Sequence, residues 1–202
     1  MFFKRFCSHY QLGVLFVLLL LCVSCSKPHE FAGTEFPNID AAPEIVGIAK
    51  GQDFQLSSLD DKVVIVFFGY TYCPDICPIT MSEIQRAYEQ TGATAEDAAV
   101  LLVTVDPERD TPEVLDAYAS AFDPDFFGVH VEVAEQDELK KNYFVFAEKE
   151  AVDDDAENAN YLVTHSDQVY LIDRDGNLRV VYRGADLVVE ELASDIAYLM
   201  AN

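Results

Sequence analysis

Apolar residues along this chain fall into short continuous runs and helical spacings, separated by clusters of turn formers. Val63 to Phe68 and Ala98 to Val105 are nearly continuous apolar runs rich in β-branched and aromatic side chains. That pattern predicts strands buried on both faces, central in a sheet covered by helices. Ile45 to Ala49 and Asp53 to Leu56 flank Lys50-Gly51-Gln52, and Val169 to Asp173 and Leu178 to Tyr182 enclose Arg174-Asp175-Gly176-Asn177. Both read as β-hairpins. Ile79, Ile84, Ala87 and Tyr88 follow helical spacing up to Gly92, a suitable helix stop. Thr111 as N-cap and Pro112 at the first helical position open a second helix through Phe122. Val129 to Val133 is a candidate strand, Asp137 to Phe146 a candidate helix, and Leu187 to Met200 a closing amphipathic helix.

The resulting order is β-hairpin, β, α, β, α, β, α, β-hairpin, α. It predicts an α/β domain with a thioredoxin-like central sheet flanked by helices, an N-terminal β-hairpin and an acidic loop insertion. Glu148 to Asn160, which holds Asp153-Asp154-Asp155, supplies that insertion and reads as an exposed, mobile loop. Residues 26–42, with Pro28, Gly33 and Pro37 and no sustained periodicity, read as a linker, so the folded domain is expected over 43–202.

The N-terminus changes the picture. Lys4 and Arg5 precede an apolar run from Leu12 to Val23, which makes 1–25 a secretory type of targeting segment. It closes on Cys22-Val23-Ser24-Cys25, which resembles a bacterial lipoprotein box with Cys25 as the lipidated residue, although Cys22 stands where leucine is usual. Either lipid at Cys25 or an uncleaved anchor leaves the domain tethered to a membrane on its extracytoplasmic, periplasmic side. The net charge of the chain is −23. Such an acidic surface repels phosphate backbones and excludes nucleic acid as a partner.

Of the five cysteines, Cys7, Cys22 and Cys25 lie in the targeting segment, so the domain owns only Cys73 and Cys77. They follow the apolar run 63–68 through Gly69-Tyr70-Thr71-Tyr72, at the edge where open α/β sheets place their chemistry. A spacing of i, i+4 at a helix start brings two thiols to one face and favours a thiolate. A redox pair, a metal clamp and a local disulfide all remain open for such a pair. Among the histidines, His9 and His29 fall outside the domain, and His130 alternates along a candidate strand like an ordinary side chain. His165 stands at a strand entry that passes beside the cysteine turn in a thioredoxin-like sheet, and is the candidate third ligand. General disulfide exchangers of that fold use Cys-x-x-Cys with a proline facing it before a late strand. The longer spacing here, and a last proline at Pro124, favour a metal site. Asp106 and Asp110 either tune that site or bond their own loop.

Three motifs carry a resemblance: Phe68-Gly69-Tyr70-Thr71-Tyr72-Cys73-Pro74-Asp75-Ile76-Cys77-Pro78, Val105-Asp106-Pro107-Glu108-Arg109-Asp110-Thr111-Pro112, and Thr164-His165-Ser166 followed by Tyr170-Leu171-Ile172-Asp173-Arg174-Asp175-Gly176. In order and spacing they resemble the Sco/SenC family of copper-binding proteins from about residue 43 onward. The resemblance implies a membrane-tethered metallochaperone that binds one copper ion, Cu+ or Cu2+, through Cys73, Cys77 and His165. It implies two partners, a copper donor chaperone and the copper-bearing subunit of cytochrome c oxidase, whose binuclear centre it helps to build. The same cysteines, as a redox-active disulfide, suit the alternative of a dedicated thiol–disulfide oxidoreductase that keeps the oxidase cysteines reduced. Thr164 departs from relatives that carry an acid before the histidine.

Overall fold

Strands Val63–Gly69 (β4) and Ala98–Thr104 (β5) are buried along their whole length, and they form the parallel centre of a six-stranded sheet. The computed structural model describes residues 29–151 and 161–202, and Phe31–Asn202 form one compact unit. The other strands, in chain order, are Thr34–Ala41 (β1), Val46–Ala49 (β2), Gln52–Gln55 (β3), Phe127–Val129 (β6), Ala147–Ala151 (β7), Tyr161–His165 (β8), Gln168–Ile172 (β9) and Asn177–Arg183 (β10). The sheet runs β1-β10-β9-β4-β5-β6. β4, β5 and β6 are parallel, while β9 is antiparallel to both β4 and β10. Helices Ile76–Thr91 (α1), Pro112–Ser120 (α2), Gln136–Asn142 (α3) and Val189–Ala201 (α4) complete the fold. The expected α/β, thioredoxin-like architecture is therefore present, with the N-terminal hairpin β2–β3 turning through Lys50 and Gly51, both at positive φ (50° and 70°).

Local signals held where the sequence was explicit. α1 stops at Gly92 (φ 68°), and the Thr111 hydroxyl accepts from Val114 N at the start of α2, with Pro112 behind it. Tyr182 donates to the buried carboxylate of Asp195, tying β10 to α4.

Four expectations change. Thr34–Ala41, read as linker, is an edge strand paired with β10, with a register shift between Glu35 and Asp40. An irregular edge position tolerates Pro37, which could not donate within a central ladder. The strand expected at 129–133 lies instead at Phe127–Val129, and His130 bridges to Ile48 of β2. The helix expected to reach Phe146 ends at Asn142, and Phe144 takes a positive φ of 56°. Finally, the start of the acidic loop, Ala147–Ala151, is a strand paired with β8 in a separate two-stranded sheet; residues 152–160 lie outside the described set. Residues 1–25, read from sequence as a targeting segment with Cys25 as the lipidated residue, also lie outside it, and no helix among the described residues is long and apolar enough to cross a membrane.

Candidate metal centre

β4 leaves the sheet at Gly69 and enters the turn that carries Cys73, and α1 begins three residues later at Ile76. A β-carbon at Gly69 would lie 2.9 Å from Phe67 Cε1 and 3.1 Å from Cys77 Sγ, so glycine leaves the sulfur its place. The turn is anchored from the loop after β5. Asp110, fully buried, accepts from Thr71 N at 3.2 Å, from Thr71 Oγ1 at 2.6 Å and from Thr104 Oγ1 at 2.8 Å. Asp110 is thus a loop-bonding residue. Burial pushes its carboxyl up from the ordinary carboxylate range, against the pull of those hydrogen bonds.

Cys77 is buried in the first turn of α1, whereas Cys73 is half-buried in the turn before it, and both thiols are free. Asp75, the residue before α1, gives no side-chain cap. Instead Cys77 N donates to Cys73 Sγ at 3.4 Å, so a sulfur takes one of the orphan N–H groups of the helix start. The hydrogen bond from Cys77 lowers the Cys73 thiol to about 3, and the backbone and His165 help against the cost of burial. Giving that hydrogen bond, together with burial, pushes the Cys77 thiol up. The pair therefore carries one charge, on the more accessible sulfur. In the metal-free domain, iodoacetamide is expected to label Cys73 nearly as fast at pH 6 as at pH 8 and to spare Cys77. An ordinary thiol would instead slow about tenfold per unit below its pKa of about 8.5; peptide mapping of the labelled cysteine checks both statements.

His165 arrives from the last residue of β8. Its Nε2 lies 3.3 Å from Cys77 Sγ, and its Nδ1 is 2.6 Å from Ser166 O. A carbonyl only accepts, so Nδ1 donates to it and Nε2 is the ring atom turned to the sulfurs. That orientation is the one a metal needs. The ring sits edge-on to Tyr70, with centroids 5.6 Å apart, and near Phe67 at 6.3 Å. The ligand atoms of Cys73, Cys77 and His165 all lie within 4.8 Å of one another. Two thiolates and an imidazole suit a soft ion in trigonal geometry, Cu(I) above all, whereas zinc sites usually take four ligands.

The profile of the SCO1/SenC family matches residues 46–201. This chain belongs to the SCO1/SenC family. A putative copper-binding protein of Stutzerimonas stutzeri is 33% identical over 177 residues, covering 80% of this chain and 83% of that one. Apo Sco1 of Thermus thermophilus superposes with a TM-score of 0.72 at 34% identity, over 87% of this chain and 99% of that one. ScoI of Bradyrhizobium japonicum with copper bound gives 0.69 at 31%, over 79% and 99%.

In this SCO1/SenC member the three residues singled out from sequence converge, and His130 does not join them. His130 is buried between β2 and the loop before α2, with Nδ1 2.7 Å from Asp110 O. Thr164 points away from the sulfurs and donates to Glu150 Oε1 at 2.6 Å. Sequence reasoning passed over Tyr70, Arg109 and Tyr161, which surround the histidine strand. The alternation in Tyr161-Leu162-Val163-Thr164-His165, with β-branched and aromatic residues, is the strand signal that would have found the last of them.

Proposed function

We propose that this protein is a copper metallochaperone that holds one copper ion between Cys73, Cys77 and His165 and hands it to the binuclear copper centre of cytochrome c oxidase. The observation that carries the reading is Nε2 of His165 standing 3.3 Å from Cys77 Sγ, beside a second free thiol. Copper, when bound, supplies the cargo; the chain's own contribution is to present a preformed soft donor set at the edge of the sheet. The copper-binding relatives support the choice of ion, and the resemblance noted in the sequence supports the oxidase as client and a second chaperone as donor. Segment 1–25 would tether the domain outside the cytoplasm, through lipid at Cys25 or through an anchor.

Titrating the soluble domain with copper(II) is expected to saturate at one ion per chain with a thiolate-to-copper charge-transfer band. Absence of that band would sink the reading.

One observation favours a second role. A half-buried thiolate beside a buried thiol is also the arrangement of an attacking and a resolving cysteine. Cys73 would attack a partner disulfide and release one partner thiolate. Cys77 would then pass its proton to the released partner thiolate, attack Cys73 and release the other. The partner gains two electrons, and Cys73–Cys77 is left as a disulfide. In cells, oxidase assembly that survives His165→Ala but not the double cysteine change would mark reduction as the physiological role.

A further inference from the structure

His165 does not sit on the main sheet. It ends β8, whose only strand partner among the described residues is β7, in a separate two-stranded sheet. Period-2 alternation places Tyr161, Val163 and His165 on one face of β8; Val163 is buried, while Leu162, of the opposite face, is exposed. On the edge of β8 away from β7, side chains stand where a neighbouring strand would be. Val163 N donates to Tyr70 Oη at 3.1 Å, and the Tyr161 carbonyl accepts from Arg109 Nη1 at 2.9 Å.

Arg109 and Tyr161 are further joined through one carboxylate. Asp106, fully buried, accepts from Arg109 Nε at 2.5 Å on Oδ2 and from Tyr161 Oη at 2.6 Å on Oδ1. The guanidinium carbon Cζ lies 3.6 Å from the centre of the Tyr161 ring and 4.8 Å from that of Tyr72. Asp106, Arg109 and Tyr161 thus close a ring of contacts across the gap between β5 and the hairpin. Only a planar fork offers Nε to the carboxylate and Nη1 to the carbonyl while stacking on an aromatic face; a lysine cannot.

We infer that Asp106, Arg109 and Tyr161 are positioning residues, a clasp that seats β8 and so holds His165 Nε2 against the two sulfurs. This rests on the proposal that His165 is the third copper donor. The clasp acts through the strand and touches no ligand atom. Its loss should therefore spare a site made by two thiolates and weaken one that also needs the imidazole.

The test uses Tyr161→Phe, which removes one hydroxyl, and Arg109→Lys, which keeps the charge but not the fork. Thr164→Val, on the outward face of the same strand, is the control. In the metal-free domain both clasp variants are expected to speed amide exchange of Val163 by about tenfold or more, with Leu101 in the central sheet unchanged. With copper(II) they are expected to weaken binding about 10–100-fold and alter the charge-transfer band, while Cu(I) affinity moves less. Thr164→Val should match the parent throughout. Unchanged Val163 exchange in both variants overturns the clasp, and faster exchange with unaltered copper(II) binding overturns its link to His165. A parent domain without the charge-transfer band, but with the expected exchange, refutes the copper reading and leaves the clasp standing.

Discussion

Replacing His165 with alanine is expected to weaken copper(II) binding by about 100-fold or more, because even groups one step removed from a metal are worth about 10–100-fold. The fold should barely notice. His165 is only partly buried, and its ring bonds the adjacent Ser166 carbonyl and the cysteine sulfurs rather than the core. His130→Ala is expected to do the reverse. His130 is buried and its Nδ1 bonds the Asp110 carbonyl, so its loss should cost about 1–3 kcal/mol of stability and leave copper affinity close to the parent's. Copper titration and thermal melts on the two variants separate these outcomes. Equal effects on affinity would remove His165 from the donor set.

The largest loss of stability is expected at Asp110. Alanine there strands Thr71 N and the hydroxyls of Thr71 and Thr104, all of which now end on one buried carboxyl. Each stranded donor costs about 1–3 kcal/mol, so a total of roughly 3 kcal/mol or more is expected, seen as a fall of about 6–12 °C in melting temperature. Asn, which keeps the shape and an acceptor, should lose much less. Its pH dependence carries a sign as well. Burial raises the Asp110 pKa in the fold, so the stability it contributes is complete below the carboxyl's unfolded pKa and declines as pH rises through the folded one. Asp110→Asn removes that decline, and melts across the acid range measure it. Because Thr71 stands two residues before Cys73, Asp110→Ala should also loosen the thiol turn, and faster alkylation of Cys77 would report this.

What the sequence disclosed depended on how local the cause was. β4 and β5 are continuous apolar runs, and α2 carries its own cap and proline, so each could be read without its neighbours. β1 could not, since Thr34–Ala41 becomes a strand only by pairing with β10 from the far end of the chain. β7 hid for a related reason: Glu148, Lys149 and Glu150 look like loop, and pairing with β8 supplies what their side chains do not. α3 ends without glycine or proline, by a left-handed Phe144 that no motif announces. At the site, the cysteines were visible from spacing, and His165 stood apart from the other histidines by its place at a strand entry, with the family motifs adding its role as a ligand. The clasp was out of reach, because Asp106 and Arg109 share one turn but Tyr161 meets them through tertiary packing alone.

Cys77 and His165 are 88 residues apart in the chain, and between them lie β5, β6 and both strands of the outlying hairpin. The thiols are therefore made, and their strand can begin to pack, well before the imidazole exists. Until β9 docks against β4 and the β7–β8 pair follows, the folding chain is expected to present a bare dithiol, open to oxidants and to any soft ion. Long-range closures of this kind come late in folding. The histidine is thus the last part of the site to arrive, and it makes of two reactive sulfurs a place with a shape.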